Sequence, residues 1–228
     1  MARVPDTPRM DETSGHDARL PELHAFVCGP VRTNVYILVD RVSREAAVID
    51  PAPGSTEMIE RCLAASHATL RTIVLTHRHF DHVGEAGPLA ASHGAIIAGH
   101  STDVEYLAKP QRSRFFPGYT NPAAPVSRTL AEGDEIELAG ATFVILHTPG
   151  HSGGAICLHH ALSGTLFSGD TLFAGTFGRY DLPDSDPEAL RASLLRLATL
   201  PGVTRVLPGH GRETTIDAEP WLADPPID

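Results

Sequence analysis

The chain has no surplus of positive charge, no long apolar run and no closely spaced pair of cysteines, and each absence removes a class of function. Its 28 Asp and Glu outnumber its 18 Lys and Arg, for a net charge of −10. A surface of that sign repels a phosphate backbone at long range, which argues against nucleic acid as partner or substrate. No apolar run reaches the ~18 residues that a membrane-spanning helix needs, so no membrane partner is expected. The three cysteines, Cys28, Cys62 and Cys157, are far apart and form no C-x-x-C pattern. They read as reduced, small core residues, which places the protein in the cytoplasm. Residues 1–21 are polar and lack the apolar centre of a secretory signal, and a loosely ordered tail is expected there.

What remains is an ordinary globular composition, 42% hydrophobic and 20% charged over 228 residues. Nothing shifts along the chain to mark a second domain, so residues 22–228 are expected to form one. Apolar runs at 23–28, 31–39 and 46–49, parted by turns, predict a strand meander. Ser55 or Thr56 can cap a helix to about residue 65, with Met58, Ile59, Cys62 and Leu63 as its apolar stripe. A strand at 73–75 and a helix over 83–93 follow, the latter despite Gly84, Gly87 and Pro88. A strand at 95–98 comes next, and Ser101 or Thr102 can cap a short helix to residue 108.

Regular structure runs out over 109–125, where Phe115, Phe116 and Tyr119 either cover a pocket or an oligomer interface or pin the loop down. Strands are expected again at 130–137, 141–146, 155–158, 166–168 and 203–207. Between the last two, Asp186-Pro187-Glu188 is a strong helix start, with Leu190, Leu194 and Leu197 on one face.

The most informative stretch is Thr76-His77-Arg78-His79-Phe80-Asp81-His82, which follows the short apolar run 73–75. In an extended chain His77 and His79 point to one side and Arg78 to the other. A turn after them would aim Asp81 and His82 at a second position nearby. With 13 His and 15 Asp in the chain, H-x-H-x-D-H arises by chance in roughly three such chains per thousand. Imidazole and carboxylate ligands without a thiolate select zinc, iron or manganese and leave room for water and substrate.

H-x-H-x-D-H is the signature of the metallo-β-lactamase-fold hydrolases. The stretches His147-Thr148-Pro149-Gly150-His151, Ser168-Gly169-Asp170-Thr171-Leu172-Phe173 and Leu207-Pro208-Gly209-His210-Gly211 resemble that family's other ligand segments in the right order. The similarity runs from about Phe26 to about Thr215, and within the superfamily it is nearest the short glyoxalase II-like (hydroxyacylglutathione hydrolase-like) proteins. The resemblance implies an α/β fold, the four-layer αβ/βα sandwich, with the metal site in the cleft at the strand ends. It assigns His77, His79 and His151 to one ion and Asp81, His82 and His210 to a second, with Asp170 bridging. Asp50 resembles a supporting carboxylate that holds a ligand histidine by its second nitrogen, a helix cap being the alternative. His147 either supports a ligand or packs within its loop. Arg179 matches a basic substrate-binding position, and Tyr180 beside it is the candidate aromatic, although off the family's register. An Asp at 170 and a His at 79 exclude the branches that carry Cys and Glu there.

Two divalent cations, zinc first and iron or manganese otherwise, would share a hydroxide that attacks a carbonyl, with Asp81 or Asp170 orienting it. A thiolate leaves without a protein acid, since a thiol pKa is roughly 8.5. The expected substrate is therefore a small acyl thioester, with a homodimer as a possible assembly. The alternatives are a persulfide dioxygenase with one iron on His77 or His79, His151 and Asp170, and a lactonase or other ester hydrolase.

Overall fold

The computed structural model describes residues 20–112, 116 and 118–227. Of the tail expected over residues 1–21, residues 1–19 lie outside the described residues, as does Phe115. Leu20, by contrast, already packs against the core.

The first half of the chain runs β1 (Glu22–Cys28), β2 (Thr33–Val39), β3 (Glu45–Ile49), α1 (Thr56–Ser66), β4 (Thr69–Val74), α2 (Phe80–Val83), α3 (Ala86–His93), β5 (Ile96–His100) and α4 (Val104–Leu107). A small ribbon, β6 (Gln111–Arg112) with β7 (Thr120–Asn121), and then β8 (Arg128–Leu130) complete it. The second half runs β9 (Glu135–Leu138), β10 (Ala141–His147), β11 (Ile156–His160), β12 (Thr165–Gly169), the hairpin β13 (Leu172–Phe173) and β14 (Thr176–Phe177), α5 (Pro187–Leu197), β15 (Arg205–Pro208) and β16 (Thr214–Thr215). Each half builds one six-stranded mixed sheet, in the orders β1-β2-β3-β4-β5-β8 and β16-β15-β12-β11-β10-β9.

Strand periodicity explains how the layers stack. Every residue of β2 is buried, because its two faces serve two different cores. Val35, Ile37 and Val39 meet Ile59 and Leu63 of α1 and Leu89 of α3. Tyr36 and Leu38 point the other way and meet Phe143, Ile145, Leu158 and Phe167 of the second sheet. The far face of that sheet, through Cys157, Leu166 and Val206, is covered by Leu190, Leu194 and Leu197 of α5. Helix, sheet, sheet and helix thus form the four-layer αβ/βα sandwich. α5 starts as its sequence demands, with Pro187 in the first turn and the Asp186 carboxylate accepting from the Ala189 amide at 3.0 Å.

Several elements depart from the sequence expectation, each for a tertiary reason. The helix expected over 83–93 starts only at Ala86, as α3, and a separate short helix, α2, precedes it. Gly84 is pressed against Pro53, where a Cβ would lie 2.6 Å from the ring's Cγ. Glu85 leaves helical geometry, and its carboxylate accepts from the Gly54 amide and the Thr56 hydroxyl at the start of α1. The short α2 consequently carries Asp81 and His82 by itself. The strand expected over 130–137 is also divided. β8 closes the first sheet and β9 opens the second, and the turn 131–134, pinned by the Asp134 carboxylate on the Ala131 amide, carries the chain between them.

Met58 faces solvent, leaving Ile59, Cys62 and Leu63 as the buried stripe of α1. The turn before α4 is capped by the His100 ring, which accepts from the Thr102 amide. Val203 is exposed, and the last long strand starts two residues later. In the 109–125 region Phe116 and Tyr119 pack on Phe80, with ring centroids 5.2 and 6.2 Å away. This loop is therefore pinned to the residue between His79 and Asp81. Among the described residues no helix is long and apolar enough to cross a membrane.

Candidate metal centre

The strand ends of both sheets meet at one place. Asp50 follows β3, Thr76 and His77 follow β4, His151 lies in the loop after β10, Asp170 follows β12 and His210 follows β15. Backbone hydrogen bonds tie these ends across the halves: the Ile156 amide to the Thr76 carbonyl at 2.8 Å, and the Asn34 amide to the Gly209 carbonyl at 2.7 Å. Asn34 Nδ2 and the Tyr36 hydroxyl both donate to the Pro208 carbonyl, fixing the approach to His210. A Cβ on Gly209 would lie 2.2 Å from Asp170 Oδ1, so only glycine lets that loop come so close.

All seven expected ligands converge there. His77, His79 and His151 form one group, and Asp81, His82 and His210 another, with the donor atoms of each within 4.8 Å of one another. His79 Nδ1 and His151 Nε2 are 2.8 Å apart. In the second group, His82 Nε2 and His210 Nε2 lie 3.3 and 3.2 Å from Asp81 Oδ2. Asp170 sits between the groups: its Oδ2 is 3.5 Å from His151 Nε2 and 3.4 Å from His210 Nε2, and its Oδ1 is 3.3 Å from His82 Nε2.

The surrounding acceptors decide which imidazole nitrogen faces inward. His82 Nδ1 donates to Asp50 Oδ2 at 2.8 Å, and His151 Nδ1 to the Arg179 carbonyl at 2.8 Å. His79 Nε2 donates to Asp184 Oδ2 at 3.3 Å. The Thr76 hydroxyl donates to Asp50 Oδ2 at 2.6 Å and so accepts from His77 Nδ1 at 3.1 Å. With the outer nitrogen as the donor, each of these rings can turn its other nitrogen to a cation at the centre. Three buried atoms there, His77 Nε2, His82 Nε2 and Asp170 Oδ1, have no hydrogen-bond partner. Such orphaned groups cost about 1–3 kcal/mol each unless something pairs with them. The nitrogen and carboxylate donors fit divalent metal ions.

Electrostatics point the same way. Burial, reinforced by the neighbouring His82 and His79, holds His77 well below the ordinary imidazole range. Burial also opposes a proton on His82, but the carboxylates of Asp170, Asp81 and Asp50 outweigh it and raise that pKa well above the usual value. His210 behaves likewise: despite burial, Asp170 and Asp81 lift it to about 9. Burial favours neutral Asp81 and Asp170, yet His82 and His210 hold both well below the usual carboxylate range. Without a metal, imidazole protons neutralise these buried carboxylates; a divalent cation would replace them.

Of the remaining sequence candidates only Asp50 comes close enough to group with ligands, lying within 4.8 Å of His77 and His82 donor atoms. Asp50 is an orienting carboxylate and not the cap of α1, whose N-cap is Ser55. It also accepts from the Thr76 amide at 2.8 Å, in a backbone conformation of φ 53°. His147 ends β10 and supports no ligand directly; its ring stacks 4.0 Å from His100, and its Nε2 donates to the Gly153 carbonyl at 3.0 Å. Arg179 is on the surface with its guanidinium on Asp181, and its carbonyl holds His151. Tyr180 stacks on Phe177 and leans on the α5 core.

Three groups escaped the sequence reading: Thr33, whose hydroxyl donates to Asp81 Oδ2 at 2.9 Å, Thr76 and Asp184. Thr76 alone carried a signal, as a hydroxyl directly before the motif. Because Asp50 receives three donors, Asp50→Asn turns one acceptor into a clashing amide. We expect it to weaken zinc binding about 10–100-fold in a chelator competition titration while the protein stays folded.

Comparison with known proteins places this geometry. The Metallo-beta-lactamase superfamily profile matches residues 28–210. An uncharacterized protein of Aquifex aeolicus is 35% identical over 194 residues, covering 84% of this chain and 90% of that one. A hydroxyacylglutathione hydrolase of Ectopseudomonas mendocina is 38% identical over 176 residues, 77% of this chain, and the match spans 60% of the enzyme's length. Among solved structures, the BLEG-1 B3 metallo-beta-lactamase superposes with a TM-score of 0.81 at 31% identity, covering 89% of this chain and all of that one (100%). TTHA1623 in a di-iron-bound form does so with 0.76 at 36%, covering 87% and 99%. The profile match takes in every strand end that carries a candidate ligand, and the chain belongs to the metallo-beta-lactamase superfamily, whose members are mostly metal-dependent hydrolases.

Proposed function

We propose that the protein is a dinuclear metal-dependent hydrolase of small acyl thioesters. The observation that carries the reading is the set of buried, partnerless atoms aimed at the centre, His77 Nε2, His82 Nε2 and Asp170 Oδ1. His77, His79 and His151 would hold one ion, Asp81, His82 and His210 the other, with Asp170 between them. Bound there, two such ions would supply hydroxide at neutral pH and polarise a carbonyl, since one zinc alone brings the pKa of its water to about 7.

The chain's own groups do the rest. Asp81, locked by the Thr33 hydroxyl at 2.9 Å, and Asp170 would orient the attacking water by accepting its hydrogen. A thiolate, with its thiol pKa of roughly 8.5, would leave without protonation by the protein, so the imidazoles and carboxylates of the centre can all serve as ligands. Arg179, paired with Asp181 at 2.7 Å, could exchange that carboxylate for one on the substrate. The hydroxyacylglutathione hydrolase relative supports the thioester, and the three unpaired thiols suit a cytoplasmic setting. Zinc fits the donors, and the di-iron relative keeps iron in play. Likeness to BLEG-1 carries a second reading, in which the strained amide of a β-lactam takes the thioester's place.

The test is metal content after purification without added metal, together with turnover of S-lactoylglutathione and of a β-lactam, with and without air. We expect about two metals per chain and oxygen-independent thioester cleavage. One iron per chain, no cleavage and oxygen uptake with glutathione persulfide would make the protein a dioxygenase instead.

A further inference from the structure

The two candidate metal positions share Asp50, which holds His82 directly and His77 through Thr76, but their other outer supports come from different sides. The outer support of Asp81 and His82 comes from Thr33 and Asp50, both at strand ends and almost fully buried. The outer support of His79 and His151 comes from one surface segment, residues 178–186. Within it the Arg179 carbonyl accepts from His151 Nδ1, the Ser185 hydroxyl donates to the His151 carbonyl at 2.8 Å, and Asp184 accepts from His79 Nε2. The Asp186 amide adds a bond to the Gly150 carbonyl at 2.7 Å. The segment is pressed so close that a Cβ on Gly178 would stand 2.9 Å from His151 Nδ1.

Asp184 is the hub of this arrangement. The oxygen that accepts from His79, Oδ2, also receives Nε and Nη2 of Arg78 at 3.1 and 2.9 Å. Arg78 is itself seated 4.8 Å above the Tyr106 ring and 3.8 Å from the buried Asp103 carboxylate. The arginine that alternation turns away from the metals thus fixes the carboxylate that fixes the ligand before the next turn. A plain ion pair between Arg78 and Asp184 would need no third partner. The His79 contact adds one, and it leaves Nδ1 as the nitrogen facing His151.

We infer that Asp184 is a positioning residue for the His77-His79-His151 position, and that segment 178–186 sets the metal affinity of that position separately from the other. The inference rests on the metal assignment proposed above and not on the thioester substrate.

The test is a zinc titration of the full-length protein against a chromophoric chelator, which resolves two dissociation constants, with Asp184→Ala and Asp184→Asn beside wild type. The alanine variant should raise one constant about 10–100-fold and leave the other within about twofold. In crystals of that variant, the anomalous zinc signal should fade next to His79 and persist next to His210. The asparagine variant, whose amide oxygen can still accept from Nε2–H, should recover most of the loss. Unchanged constants in Asp184→Ala, a parallel rise of both, or no recovery in Asp184→Asn would overturn the inference. Should the alanine variant fail to fold, imidazole ¹H–¹⁵N spectra of zinc-loaded wild type decide the matter. A slowly exchanging Nε2 proton on His79 is expected, and its absence overturns the assignment. Wild-type protein that takes up no zinc would defeat the metal assignment itself, an outcome distinct from all of these.

Discussion

Alanine in place of Asp170 is expected to lower thioester turnover by about a thousandfold or more, equivalent to about 4 kcal/mol of lost transition-state stabilisation. Asp170 spans the two groups: its oxygens lie 3.5 Å from His151 Nε2 and 3.3 to 3.4 Å from His82 and His210 Nε2. Removing it deprives both positions of a shared anion and leaves no group to set their spacing. Metal content should drop below that of wild type in the same preparation. The fold should survive, because Asp170 is a polar residue at the end of β12 and not part of the three apolar clusters. Far-UV circular dichroism and S-lactoylglutathione kinetics on the same sample make the check. Near-wild-type turnover in a folded variant would remove Asp170 from the centre of the proposed mechanism.

The metal-free and metal-loaded proteins should respond to pH in opposite directions. Without metal, His210 is lifted from 6.5 to about 9 by Asp170 and Asp81, which overcome its burial, and His82 is raised as well. A raised folded-state pKa contributes stability that is complete below the unfolded value and lost as pH rises through the folded one. The window is therefore pH 6.5 to about 9, where the folded chain holds more protons than the unfolded one. His210 alone accounts for roughly 3 kcal/mol, which corresponds to roughly 6–12 °C in melting temperature for a chain of this size. His77 and His151, whose pKa values are lowered chiefly by burial, act below that window and make the metal-free protein less stable again at acid pH. Metal binding needs deprotonated imidazoles, so the loaded protein should hold or gain stability over the same window. Melting curves from pH 6.5 to 9.5 with chelator and with zinc provide the comparison. A metal-free melting temperature that climbs through this range would mean the imidazole protons are not what offsets Asp81 and Asp170.

What could be read in advance was whatever is local. The ligand segments are contiguous strings of unambiguous residue types, each directly after an apolar run, so strand ends and donors could be placed together. The start of α5 was equally plain, because Asp186, Pro187 and Glu188 encode it within three residues. Contacts between distant parts of the chain left no such trace. Thr33 and Asp81 are 48 residues apart and His79 and Asp184 are 105 apart, and a lone threonine or aspartate in a turn carries no mark of its partner. The break between α2 and α3 depends on Pro53, which occupies the space a side chain at residue 84 would need. β8 and β9 are parted by only the turn 131–134, and it is the sheet each one joins that tells them apart. The stripe of α1 was drawn one residue too wide because Met58 matches the helical period but lies at the edge of the buried face.

The passage of the chain from β8 to β9 divides the centre as well as the fold. His77, His79, Asp81 and His82 hang on the first sheet, and His151, Asp170 and His210 on the second. Each three-ligand group therefore takes two members from one half and one from the other, and neither half alone offers a full set. An ion bound there acts as a cross-link, closing a long loop between two separately built layers in a chain whose thiols are all unpaired. Unlike a disulfide, this staple opens without any change of redox state: acid or a chelator is enough. Docking of the halves and capture of metal would then be linked, free metal adding to the stability that the shared apolar core already supplies.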